Sequence, residues 1–163
     1  MLTPRIDFKN LKIKIKLKKK LKNNLKFLLK ENNEILKSLG KNYKNFYNKK
    51  DLIKYKRYTA FRVIGMGGSI LGTQAIYDFL KDKINKNFAF INNIQSNNHK
   101  IDKKKSVNLV VSKSGETIET IVNSNLIIKK KDKKIFITEN KNSYLHILAN
   151  KLKAEVVHHN NFI

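Results

Sequence analysis

Phe61-Arg-Val-Ile-Gly-Met-Gly-Gly-Ser-Ile-Leu-Gly72 decides the fold. A short, mostly apolar strand runs into a glycine turn at Gly65. From Ser69 to about Lys81, Ile70, Leu71, Ala75, Ile76, Phe79 and Leu80 then recur at helical spacing. The same alternation continues outward. Asn87 to Asn92, Ser106 to Ser112, Lys134 to Thr138 and Ala154 to His158 read as further short strands. Helices are predicted from about Glu116 to Lys130 and across Tyr144 to Leu152. Strands alternating with helices imply parallel pairing through right-handed crossovers, in a sheet buried on both faces. The expectation is a doubly wound α/β domain. One connection is thin: the polar stretch from Gln95 to Lys105 has room for about one helical turn.

The turn Gly65 to Gly72 lies where a strand passes into a helix, so free backbone N–H groups and the helix dipole favour an anion there. A nucleotide P-loop would need Lys before its hydroxyl residue, but the sequence there is Leu71-Gly72-Thr73. A dinucleotide fingerprint beginning at Gly65 would need glycine at position 70, which is Ile. It would also need an acid about twenty residues on, where Asn92 and Asn93 stand. Neither nucleotide motif fits, and the turn alone is equally consistent with a plain connection capped by Ser69.

A second loop shifts that balance. Val111-Ser-Lys-Ser-Gly-Glu-Thr-Ile-Glu-Thr120 follows the third strand and opens a helix. It offers hydroxyls at Ser112, Ser114 and Thr117 and a cation at Lys113, the donors a phosphate group takes. Capping by Ser114 and dipole compensation by Glu116 and Glu119 explain part of the pattern. They require neither Lys113 nor three hydroxyls. In strand order 2-1-3-4-5 the first and third strands are neighbours at the topological switch point, so both loops would face one crevice. No acid pair or His/Asp/Glu cluster for a metal lies beside them, which suggests a small phosphorylated ligand gripped without metal.

Together these two motifs resemble the first sugar isomerase (SIS) domain of the phosphoglucose isomerase family, from about Phe61 to the end of the chain. The resemblance implies a three-layer αβα SIS domain over 59–163, with a five-stranded parallel sheet in flavodoxin-like order, preceded by an N-terminal helical arm over 1–58. It implies that Gly68 and Ser69 contact the sugar phosphate from the first loop, and Ser112, Lys113, Ser114 and Thr117 from the second, with Glu119 positioning the loop. No cofactor or metal is implied. The implied activity is aldose–ketose isomerisation of glucose 6-phosphate and fructose 6-phosphate, in glycolysis and gluconeogenesis. The full-length protein would be a cytoplasmic homodimer.

That reaction needs a carboxylate to move a proton between C2 and C1, an acid/base pair for ring opening, and a cation for the enediolate. In the family these groups resemble residues beyond Ile163, and His158 to Ile163 resembles the run-in to a Gly-Gly-Arg motif. His99, His146, His158 and His159 have no acid partner evident in the sequence, so no catalytic residue is assigned, and 1–163 alone is expected to be inactive. Three readings stay open: a piece of an isomerase, a free-standing SIS-type sugar-phosphate-binding or regulatory domain, and a basic nucleic-acid-binding or membrane-binding module that only shares the fold.

The last reading comes from a net charge of +24 in 163 residues. The chain has 33 Lys but only 3 Arg, with 22 Asn and 20 Ile, a bias that an A/T-rich genome produces unaided. Nucleic-acid readers favour Arg for bidentate contacts, so no specific nucleic-acid partner is expected. No Cys is present, which excludes disulfides, thiolate metal sites and a cysteine nucleophile. No apolar run approaches the roughly 18 residues of a membrane span, and no membrane partner is expected. In the arm, Leu17, Leu21, Leu25 and Leu28 recur at helical steps among ten Lys between Lys9 and Lys30, after an alternation of Ile13, Ile15 and Leu17 with Lys. The stripe resumes at Ile35, Leu36 and Leu39, with a C-cap expected at Gly40.

Overall fold

A computed structural model gives the structure of the chain and describes residues 15–31, 33–38, 40, 42–44, 47–94 and 106–160. Two compact units divide it, one reaching to Lys44 and one running from Asn45 to Asn161. In the first, α1 (Ile15–Lys30) places the exposed Leu21, Leu25 and Leu28 on one face. The helix takes in Ile15, so helical periodicity prevails there over the strand-like alternation. Asn33 Oδ1 accepts from Ile35 N to open α2 (Glu34–Ser38), and Gly40 N donates to Lys37 O after it. Ile13, Leu39 and Lys41 lie outside the described residues.

The second unit begins earlier than the sequence boundary at 58/59. Asn48 caps a 3-10 turn over Lys49–Tyr55 by accepting from Lys50 N. The buried Tyr55 packs with Val107 and Ile135 against the sheet. Residues 47–58, expected in the arm, thus belong with the α/β unit.

That unit is the expected α/β fold. Strands β1 (Ala60–Gly65), β2 (Asn87–Ile91), β3 (Ser106–Val111), β4 (Lys133–Glu139) and β5 (Glu155–His159) pair in parallel in the order β2-β1-β3-β4-β5. Alternation sends side chains to two faces. Ile64, Val110, Phe136 and Val156 form one registered row, packed against Leu145 and Ala149 of α5 (Tyr144–Lys151) and Ile121 and Ile127 of α4 (Ile118–Ile127). On the opposite face Tyr77 of α3 (Gly68–Leu80) packs its ring on Phe88 and Phe90, and the 3-10 turn covers Val107 and Ile135.

At the N-terminal end of the sheet, two cations are buried. Arg62 donates to Asn108 Oδ1 at 3.0 Å, and Lys134 Nζ donates to Lys130 O and Asp132 O. Desolvation lowers the pKa of both, and Asp132 offsets part of that loss. The charge of this end is thereby fixed away from the C-terminal strand ends, where the glycine loops sit. The connection over 95–105 lies outside the described residues.

Candidate functional site

The two loops leave the sheet side by side. Gly65 ends β1 and Val111 ends β3, and they are Cα partners in the parallel ladder. A Cβ on Gly65 would lie 2.9 Å from Val111 O, so the close approach of the strands at this point requires glycine.

The first loop is short and self-contained. Gly67 sits at φ +54°, a conformation that favours glycine, and serves as the N-cap of α3 with no side-chain hydrogen bond. Ser69 N donates to Met66 O, and Ile70 N and Leu71 N donate to Gly67 O. Ser69, the expected cap, instead lies inside the first turn of the helix. Met66, Gly67 and Gly68 are exposed and Ser69 is half-buried, so the N-terminus of α3 opens at the mouth of the loop, with the Ser69, Ile70 and Leu71 amides already bonded within it.

The second loop is braced from several sides. Ser112 is buried; its hydroxyl accepts from Gly115 N at 3.1 Å and lies 3.2 Å from the Thr117 hydroxyl. Ser112 N donates to Ile137 O, Glu139 N donates to Lys113 O, and Leu145 N donates to Gly115 O. Thr138 Oγ1 also donates to Lys113 O. Glu116 Oε1 accepts from Tyr144 N at 3.2 Å, tying the loop to the start of α5, whose N-cap Ser143 accepts from His146 N. Gly115, at φ +68°, presses on Ser143 so closely that a Cβ there would lie 2.1 Å from Ser143 Oγ.

With its backbone held this way, the loop exposes the Lys113 side chain and leaves Ser114 and Thr117 half-buried. Ser114 Oγ accepts from Glu116 N at 3.2 Å, a local turn rather than a cap of α4. These bonds hold 112–117 as a loop, so α4, expected from Glu116, starts at Ile118.

The sequence reading gave Glu116 only dipole compensation, whereas its carboxylate bonds across to the start of α5. It also missed Thr138 and Ser143. Ser143 directly before the helical periodicity of Tyr144 to Leu152 is a readable N-cap signal. Its contact with Gly115 is not readable, because it depends on β3 and β4 being neighbours. His146 and His158 stack on each other at 6.3 Å, and His159 Nδ1 pairs with Asn160 O; His99 lies outside the described residues.

A groove of about 340 Å³ lies elsewhere, between the 3-10 turn and the sheet. Leu109, Ile135, Ile137 and Val157 wall it, and the charged residues that line it are Asp51 and Glu155, the wrong sign for a phosphate. Tyr55 OH and Lys54 Nζ both donate to Glu155 there. Burial alone would raise the Glu155 carboxyl, but these hydrogen bonds outweigh it and hold the group below its ordinary value.

Five parallel strands in this order form a doubly wound α/β domain, and its likeness to solved sugar-phosphate isomerases places it in the class of sugar isomerase domains. The structure resembles a glucose-6-phosphate isomerase from Chlamydia trachomatis, at 26% identity and a TM-score of 0.55, over 68% of this chain and 24% of that one. At the level of fold alone it resembles tagatose-6-phosphate ketose/aldose isomerase from Escherichia coli, at 17% identity and a TM-score of 0.50, over 69% of this chain and 32% of that one. Within that class the chain belongs to the phosphoglucose isomerase family, whose model matches residues 29–157. A glucose-6-phosphate isomerase from Methanocaldococcus jannaschii is 42% identical over 103 residues, covering 54% of this chain. The match spans 25% of the length of that relative.

Proposed function

We propose that the two loops form one phosphate grip, and that the protein to which this chain contributes interconverts glucose 6-phosphate and fructose 6-phosphate. The observation that carries the reading is the pairing of Gly65 with Val111, from which two anion-favouring loops leave the sheet together. In this reading Gly68 and Ser69 offer the first turn of α3, and Lys113 supplies the charge. Ser114 and Thr117 supply hydroxyls. Ser112, buried and bonded within the loop, shapes the second loop around the ligand. The isomerase names carried by the family's members support the choice of a sugar phosphate over other anions.

Hydroxyls, amides and one ammonium grip a phosphate but do not transfer a proton between carbons. The reading therefore assigns 1–163 ligand binding without turnover, in a cytoplasmic protein that is a homodimer at full length. Residues 1–44 are assigned to a helical arm and 45–161 to the SIS domain. Calorimetry with fructose 6-phosphate tests the grip. K113A combined with S114A should weaken binding roughly tenfold or more, the loss expected for a charge-assisted hydrogen bond. Unchanged sugar-phosphate affinity alongside collapsed DNA affinity would sink the assignment in favour of a nucleic-acid module. Isomerase turnover from the purified chain would contradict the division of labour.

A further inference from the structure

Every side chain of α1 from Lys18 to Lys30 is exposed. Leu21, Leu25 and Leu28, 52%, 55% and 47% exposed, follow one another down one face, and Leu29 lies beside Leu25. Over the same stretch the helix carries six Lys and no acid. Lys19, Lys26 and Lys30 fall on the face opposite the leucines, while Lys18 and Lys22 stand in the same row as Leu25 and Leu29. Codon bias sets how many Lys a chain has, not the face on which they lie. The match to the phosphoglucose isomerase family begins at residue 29, so the stripe from Leu21 to Leu28 lies ahead of the matched region.

The placement of the charges narrows what can cover this face. A protein surface laid over the leucines would take the Lys18 and Lys22 ammonium groups with them and would have to supply acids for both. A bilayer surface carries no such cost, because a Lys at the edge of an apolar stripe runs its stem along the hydrocarbon and leaves its charge among the lipid phosphates. Duplex nucleic acid would match the charge but leave the leucines in water, and α1 has no Arg for its phosphates or bases. We infer that α1 is a surface anchor for anionic bilayers, lying in the plane of the interface with its leucine stripe in the acyl boundary. The expectation of no membrane partner rests on the lack of a spanning run, which a helix lying in the interface does not need.

Fluorescence of the 163-residue chain tests this inference, because the chain has no Trp of its own. L25W places an indole in the stripe, and N23W places one on the opposite face. On vesicles of phosphatidylcholine with about 30% phosphatidylserine, L25W emission should move to the blue and become shielded from acrylamide, and N23W emission should do neither. Pure phosphatidylcholine, or salt raised to about 0.5 M, should weaken binding roughly tenfold or more. L21S combined with L28S should abolish binding and leave fructose 6-phosphate affinity unchanged, which separates failure of this surface from failure of the phosphate grip. L25W emission that is already blue-shifted without vesicles, and does not move when they are added, overturns the inference in favour of a stripe covered by protein. No binding to the charged vesicles overturns it too, as does equal binding to charged and uncharged ones. Binding that survives L21S/L28S, or that goes more tightly to duplex DNA, reduces α1 to a source of charge and overturns it as well.

Discussion

The loop after β1 and the loop after β3 leave the sheet from paired residues and both end in the first turn of a helix, but they are held in different ways. Every backbone bond of the first loop stays within six residues, from Met66 to Leu71. The second is tied to the end of β4 through Ile137, Thr138 and Glu139 and to the start of α5 through Tyr144 and Leu145. A site built on this pair has one preformed jaw and one that depends on local geometry. Preorganisation is therefore concentrated in the loop that carries Lys113.

The comparison breaks most sharply at glycine. Gly115→Ala combines a positive φ with a collision on Ser143 and should cost about 3–4 kcal/mol in urea unfolding. Gly67→Ala meets nothing within 4 Å and should cost only its backbone strain, about 1–2 kcal/mol. Equal costs would mean that the second loop is not braced. The serines give the next contrast. Ser112→Ala strands the Gly115 amide and should destabilise by about 2 kcal/mol, whereas Ser69→Ala should stay within about 0.5 kcal/mol.

Glu116→Ala removes the acceptor for Tyr144 N and should cost about 1 kcal/mol, while speeding hydrogen exchange at Tyr144 and Leu145 and leaving α3 untouched. The smallest effect lies outside both loops. The Glu155 carboxyl has a folded pKa below its ordinary 4.5, so the stability it contributes is fully present above that value and is lost as pH falls through the lower folded one. Glu155→Gln should flatten that part of the acid unfolding curve without altering phosphate binding.

How much of this was legible in the sequence follows from what each feature depends on. Strand–turn–helix alternation is local, so the five strands and the helices after Gly65, Ser112 and Asn142 could be read directly, and the sheet order followed from the common doubly wound arrangement. The identities of Lys113, Ser114 and Thr117 were equally visible. The work done by Ser112 and Glu116 was not, because a hydroxyl and a carboxylate beside a helix look the same in sequence whether they face a ligand or a neighbouring backbone. The boundary at 58 was misplaced for the same reason: nothing local distinguishes Tyr55 in a solvated arm from Tyr55 buried on Val107 and Ile135.

The hydrogen bond from Tyr55 to Glu155 spans 100 residues of chain. During synthesis at about 5–20 residues per second, Tyr55 waits on the order of 5–20 seconds for its partner to be made. Through that interval the apolar residues on this side of β3 and β4 have no finished cover. The edge strand β5, the last of the five to emerge, therefore brings the partner that fastens the 3-10 turn over this face.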